Sequence, residues 1–176
     1  MACSTQSFNG LKANCDSNRG GVQVVYIANR SDVAGIELST PKNDTITTIT
    51  MKDTAKFKAY HFKKGAASFT STFTLDNVNG VNFVTTVLSI DFAKMETAKR
   101  VEMQALSLGE MAVIVLDANG TYWYLGYDEP VYASAGTGET GAARTDVNKY
   151  SIELTDESNG LPYEVEKSAL STIIDD

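Results

Sequence analysis

The chain is poor in the residues from which reaction centres are commonly built. It holds one histidine, His61, two cysteines, Cys3 and Cys15, and one tryptophan among 176 residues. A single histidine excludes a histidine-rich zinc site or a multi-histidine relay within one subunit. With Lys58, Lys63 and Lys64 around it on a predicted strand, His61 reads as a surface or edge residue. No serine sits in the G-x-S-x-G pattern of a nucleophile elbow, and the chain is expected not to be an enzyme. Two cysteines without a neighbouring histidine read as thiols in a reducing compartment, with a Cys3–Cys15 disulfide or a shared metal as the other outcome. Long apolar runs are missing too: residues 22–27 and 111–116 fall far short of the roughly 20 needed to cross a bilayer. Residues 1–10 carry neither a basic n-region nor an apolar h-region, so no secretory signal is expected and folding in the cytoplasm is.

What is present is enough for one domain. Hydrophobic residues make up 43% of the chain, sufficient to bury a core without metals or disulfides. The net charge of −7 is unevenly spread: residues 1–64 carry 9 basic and 5 acidic side chains, residues 65–127 carry 3 and 6, and residues 128–176 carry 3 and 11. That balance argues against a general nucleic-acid binder, which needs a basic face to displace counterions. It suits head-to-tail contacts between a basic and an acidic end, as well as an ordinary solvated acidic surface.

The pattern predicts a mainly β fold with one packed helix. Residues 1–21, with only Phe8 and Leu11 as anchors, read as an arm closed by Gly20-Gly21. Strands follow at 22–27, 36–38 and 45–51, rich in β-branched residues. Residues 56–63 are strand-like but leave open which face is buried. Over 68–75, Phe69, Ser71, Phe73 and Leu75 share one face while Ser68, Thr70, Thr72 and Thr74 share the other. Asn79-Gly80 then predicts a turn and a long hairpin over 67–91. A helix is expected from 92 to 108, its apolar stripe at Met95, Ala98, Val101 or Glu102, Ala105 and Leu108, with a Glu96–Arg100 pair and a left-handed Gly109 at its end. A second hairpin joins 111–116 to 121–127 through Asn119-Gly120. Residues 133–148 have the small, polar composition of a long loop, expected to be ordered by a neighbouring subunit. Strands at 150–155 and 163–165 precede a tail over 167–176, and no linker or repeat divides the chain.

Motifs that would carry chemistry fail on context. Gly136, Gly138 and Gly141 formally complete G-x-G-x-x-G, but no strand-to-helix turn surrounds them, and no cofactor is expected. Asp128 and Glu129 are adjacent and point apart on an extended chain. Asp156 and Glu157, ahead of Asn159-Gly160, read as a turn rather than a calcium loop, since the alternating ligand ladder is missing. Tyr122, Trp123, Tyr124 and Tyr127 suit stacking on bases or sugars. On strands they suit a core or an interface equally well, Trp123 opposing its neighbours in parity.

Several segments resemble the tail-tube or tail-hub structural proteins of tailed bacteriophages, especially crAss-like and related gut phages. The resemblance is carried by residues 20–28, 32–33, 56–73, 95–100, 122–130 and 150–152. It implies a β-sandwich or barrel of the tail-tube type, with long hairpins that join successive subunits into a ring, generally sixfold, located in the virion tail. The partners would be further copies of the chain, other tail or head–tail connector proteins, and DNA passing through a channel without sequence-specific binding. In such a ring Thr70, Thr72 and Thr74 are candidates to face the channel. Gly136, Gly138, Gly141, Arg144, Trp123 and Tyr127 are candidates for subunit contacts. The other reading is a virion surface or carbohydrate-binding β module using the aromatic group at 122–127.

Overall fold

The computed structural model of the protein describes residues 10–13, 15–42, 44–76 and 78–175. Residues 1–9 and 14 of the expected arm, among them Cys3 and the anchor Phe8, lie outside the described residues. Leu11 and Cys15 are both exposed.

The described residues form twelve strands and one α-helix in two sheets. In chain order they are β1 (Val22–Asn29), β2 (Val33–Leu38), β3 (Thr45–Met51), β4 (Phe57–His61), β5 (Ala67–Asp76), β6 (Val81–Ala93), α1 (Thr97–Leu108), β7 (Met111–Asp117), β8 (Tyr122–Leu125), β9 (Tyr132–Glu139), β10 (Lys149–Ser158), β11 (Tyr163–Val165) and β12 (Ile174–Asp175). An eight-stranded sheet runs β12-β4-β1-β7-β8-β11-β3-β2 and curls into a half-barrel. A four-stranded antiparallel sheet runs β5-β6-β10-β9. The fold is thus mainly β with a single helix, as the sequence predicts.

Two cores sit on opposite faces of the larger sheet. Between the sheets, Val25, Ile27, Val113, Val115 and Leu125 meet Leu88, Ile90, Ile152 and Leu154. Inside the curl, Tyr26, Ile46, Ile49, Phe57, Ile114, Tyr124 and Val165 are enclosed. Strand β7 serves both, which explains the continuous apolar run Met111 to Val115, every residue of which is buried. The ambiguous faces of β4 have the same cause. Phe57 and Ala59 face the curl, whereas Tyr60 and Phe62 face the other sheet. Burying each large aliphatic side chain contributes about 1.5–3 kcal/mol, so the two cores dominate stability.

Several expectations are corrected. The helix begins at Thr97 rather than 92, because β6 stays paired with β10 through Ala93. Its core-facing positions are Met103 and Leu106, while Ala98, Val101, Ala105 and Leu108 are exposed. Glu96 pairs with Lys99 (2.7 Å) instead of Arg100, and Gly109 is extended at φ −86° rather than left-handed. The loop expected over 133–148 is strand β9 up to Glu139, since pairing with β10 supplies backbone hydrogen bonds that override the low strand propensity of its Gly and Ala residues. The tail over 167–176 is held by a 3-10 turn at Lys167–Leu170 and by β12, which pairs in parallel with β4 and follows the buried Leu170 and Ile173. Asp156 and Glu157 belong to β10, and the chain bends only after Ser158.

Candidate assembly surface

The four-stranded sheet carries five of the nine predicted contact and channel residues, Thr70, Thr72 and Thr74 on β5 and Gly136 and Gly138 on β9. Its inner face packs on the larger sheet. Register assigns the outer face row by row: Ser68, Ser89, Glu153 and Ala135 lie across one line, and Thr72, Thr85 and Glu157 across another. Thr70 and Thr74 belong to the same face, and Thr70, Thr72 and Thr74 are all exposed. Thr155 donates to Ser134 Oγ at 2.7 Å, so part of this hydroxyl surface is tied down internally.

Charge on that face is mainly negative, with Asp91, Glu139, Glu153 and Glu157 set against Lys149. Lys149 Nζ lies 2.8 Å from Asp91 Oδ2 and 3.8 Å from Glu139, and Ser151 donates to Asp91 Oδ1 at 2.6 Å. Burial pushes the Asp91 carboxyl up, but hydrogen bonds from Lys149 and Ser151, with the Lys149 charge, hold it below its ordinary value. The same hydrogen bond raises the Lys149 ammonium.

Hairpin β5–β6 outgrows the sandwich. Strand β10 accompanies β6 only as far as Val84, while β5 and β6 continue to the Asp76–Val81 pair. On the inner face Ser71 and Thr86 share a hydrogen bond of 2.7 Å, and beyond them Phe73 and Leu75 are 55% and 64% exposed. Val78 and Val81 complete an apolar tip. That tip is ordered by Asp76, whose Oδ1 accepts the Val78 and Asn79 N–H groups at 2.9 and 3.1 Å. Gly80 takes φ +70° in the predicted Asn-Gly turn.

Among the described residues β5 and β9 each have a hydrogen-bonded strand on one side only, and α1 packs against β9. Gly136 and Gly138 lie on β9. A Cβ at Gly138 would fall 2.9 Å from Tyr150 Cε1, so glycine lets the Tyr150 ring lie across the edge strand. Gly141 follows at φ +65°, where a Cβ would sit 2.1 Å from Asp146 Cβ. Asp146 Oδ2 accepts the N–H groups of Ala142 and Ala143, closing a tight loop that carries the exposed Arg144.

Two predicted contact residues lie elsewhere. Trp123 is half-buried against the inter-sheet core and donates its indole N–H to Asp117 Oδ2 at 3.1 Å. Tyr127 packs on Tyr163 at a centroid distance of 4.7 Å. With Tyr122 half-buried and Tyr124 buried, residues 122–127 present no open aromatic platform. His61 is exposed on β4, at a cavity of about 330 Å³ that Tyr60, Phe92 and Glu102 also line. Sequence reasoning missed the apolar helix stripe as a surface and the hairpin's overhang, since strand lengths are set by pairing partners that periodicity does not reveal.

Among the described residues no helix is long and apolar enough to cross a membrane. Comparison of the chain with protein-family models, with curated proteins and with solved structures gives no match in any of the three.

Proposed function

We propose that the chain is a ring-forming structural subunit of a bacteriophage tail, in a tube or hub, whose four-stranded sheets join edge to edge around a channel for DNA. The observation that carries this reading is the sheet with an unpaired edge strand at each end among the described residues. Along β5-β6-β10-β9 every neighbour is antiparallel, so β5 and β9 run in opposite directions. The β9 edge of one copy can therefore receive β5 of the next as a further antiparallel strand. That contact is heterologous, and it closes into a ring when the rotation per copy divides a full turn. Six copies would give roughly 24 strands and, at about 4.8 Å per strand, an untilted circumference of roughly 115 Å. Closure covers edges that otherwise template aggregation.

The hydroxyl and carboxylate face then lines the lumen, hydrated and repelling phosphate, which lets DNA slide. The apolar tip at Phe73, Leu75 and Val78 projects beyond the sheet toward a neighbour. The phage assignment itself rests on the sequence resemblance. A carbohydrate-binding module would need exposed aromatics, which residues 122–127 do not supply.

Negative-stain microscopy with mass determination across a concentration series tests the proposal. Rings or stacked tubes with a central hole are expected. Combined replacement of Phe73, Leu75 and Val78 by serine should leave the melting temperature nearly unchanged, as for exposed sites, and reduce stacking or ring formation. A chain that stays monomeric at high concentration, alone and with isolated tail particles, would overturn the reading.

A further inference from the structure

The two ends of strand β6 differ in shape and in charge. At its start the β5–β6 hairpin runs past β10, and Phe73, Leu75, Val78 and Val81 are 55%, 64%, 94% and 41% exposed. Phe83 lies where this overhang begins and lines a cavity of about 240 Å³ with Asp128, Glu129 and Glu157, three exposed carboxylates. No lysine or arginine lines that cavity. The hairpin end is thus an apolar knob beside a negative patch.

At the other end of β6, Phe92 lies eleven residues from Val81, about 36 Å along a strand that rises roughly 3.3 Å per residue. Its ring packs on Tyr60 and Phe62 at centroid distances of 6.1 and 5.5 Å. With Ala59, Tyr60 and Ala98 it lines the cavity of about 330 Å³ that His61, Lys99 and Glu102 complete. His61 and Ala98 are exposed, so this cavity opens to solvent. Lysines gather around it. Lys63 and Lys64 follow Phe62, Lys94 follows Phe92, all three are exposed, and Lys99 lines the cavity itself. Against these four stand Glu96, which pairs with Lys99 at 2.7 Å and Lys94 at 3.8 Å, and Glu102, which accepts the Tyr60 hydroxyl. Asp91, on the other face of β6, is matched by Lys149. The balance is positive here and negative at the hairpin end.

We infer that the hairpin tip of one copy docks into the aromatic cavity at the opposite end of a second copy, with the carboxylates around Phe83 meeting the lysines around Phe92. The inference rests on the reading of the chain as a self-assembling subunit and names what receives its apolar tip, but it needs no closed ring. The length of β6 keeps a tip away from the cavity of its own chain. The contact is heterologous, so it repeats from copy to copy along one axis. A second copy is the occupant that the charges select, because opposite potentials steer matching surfaces together and both surfaces belong to this chain. One aromatic and a few aliphatic side chains bury roughly 500 Å² at most, short of the roughly 1,000 Å² of a stable specific interface. Two free copies therefore hold weakly, and rows of such contacts hold firmly.

The test is photo-cross-linking from the tip of the full chain. A donor carrying Val78→p-benzoylphenylalanine, at an almost wholly exposed site, is mixed with ¹⁵N-labelled acceptor chain, so that only contacts between copies give mixed-isotope products. Cross-links to acceptor peptides containing Tyr60 and Phe62, or Phe92 and Ala98, are expected. Glu129→Lys with Glu157→Lys in the donor, or Lys63→Glu with Lys64→Glu in the acceptor, should each cut the yield by about 10-fold or more, because like charges then meet. The reversed donor with the reversed acceptor should restore it. All four positions are exposed, so the variants keep the fold. Mixed-isotope cross-links that map elsewhere, their complete absence, or a yield that the double reversal does not restore would overturn the inference. Rings seen by microscopy with tips cross-linked elsewhere would remove this contact and leave the assembly reading standing. End-to-end rows with the expected cross-links and no rings would uphold the contact and remove ring closure.

Discussion

Replacing Tyr124 by phenylalanine removes one oxygen and leaves the ring in place. The hydroxyl is buried and makes no hydrogen bond in the protein, so the folded state bears its desolvation without compensation. Leaving such a group unsatisfied costs about 1–3 kcal/mol. Tyr124→Phe should therefore stabilise the protein by about that amount, raising Tm by roughly 3–9 °C in a domain of this size. Alkaline behaviour changes with it. Burial is the main cause that pushes the Tyr124 phenol up to about 12 from the ordinary 10.0, with the Asp156 charge adding and the Arg30 charge opposing. The unfolded chain thus ionises first. Wild-type stability is complete below pH 10 and falls as pH rises through 12, whereas the phenylalanine variant lacks this fall. Urea denaturation at neutral pH and at pH 11, followed by circular dichroism, measures both effects. A variant less stable than wild type by 1 kcal/mol or more would refute the reasoning, because the hydroxyl would then be satisfied by a partner.

Other predictions follow from the sheets. Ile114 is fully buried on β7, and Ile114→Ala should cost about 2–5 kcal/mol in urea unfolding. Asp91 has a folded pKa below its ordinary 3.8, so it contributes stability above that value that is lost as pH falls through the folded pKa. The stability gap between wild type and Asp91→Asn should close on acidification in a denaturation series. Asp146 is held below 3.8 by the N–H groups of Ala143 and Ala142. Gly141→Ala should displace it, and a carboxyl ¹³C titration should show its pKa returning toward the ordinary value.

Much of the fold is legible in the sequence because its signals are local. The alternation over 68–75 gives β5, and the two Asn-Gly pairs give the turns of both hairpins. The six-residue apolar run of β7 announces burial on both faces, which its first five residues show. What escapes is set by partners far along the chain. β9 is a strand because β10 leaves it an edge, and nothing in Ala133 to Gly138 says so. The helix is displaced because β10 extends β6 to Ala93. The burial of Asp156 beside residues 124–128, with hydrogen bonds from Gly126 and Ser158, is likewise set by a proximity that no spacing rule supplies. The hydroxyl face of Thr70, Thr72 and Thr74 was readable from parity alone.

Strand β11 lies between β8 and β3, antiparallel to one and parallel to the other, and β12 pairs with β4 at the far edge of the same sheet. Without β11 the eight-stranded sheet is two separate pieces, one ending at β8 and one made of β3 and β2. During synthesis these pieces wait for residues 163–175 to leave the ribosome before the curl can seal around Ile46 and Phe57. A nascent chain stalled before Tyr163 therefore leaves the two pieces unjoined and the apolar lining of the curl, Ile46 and Phe57 among it, exposed.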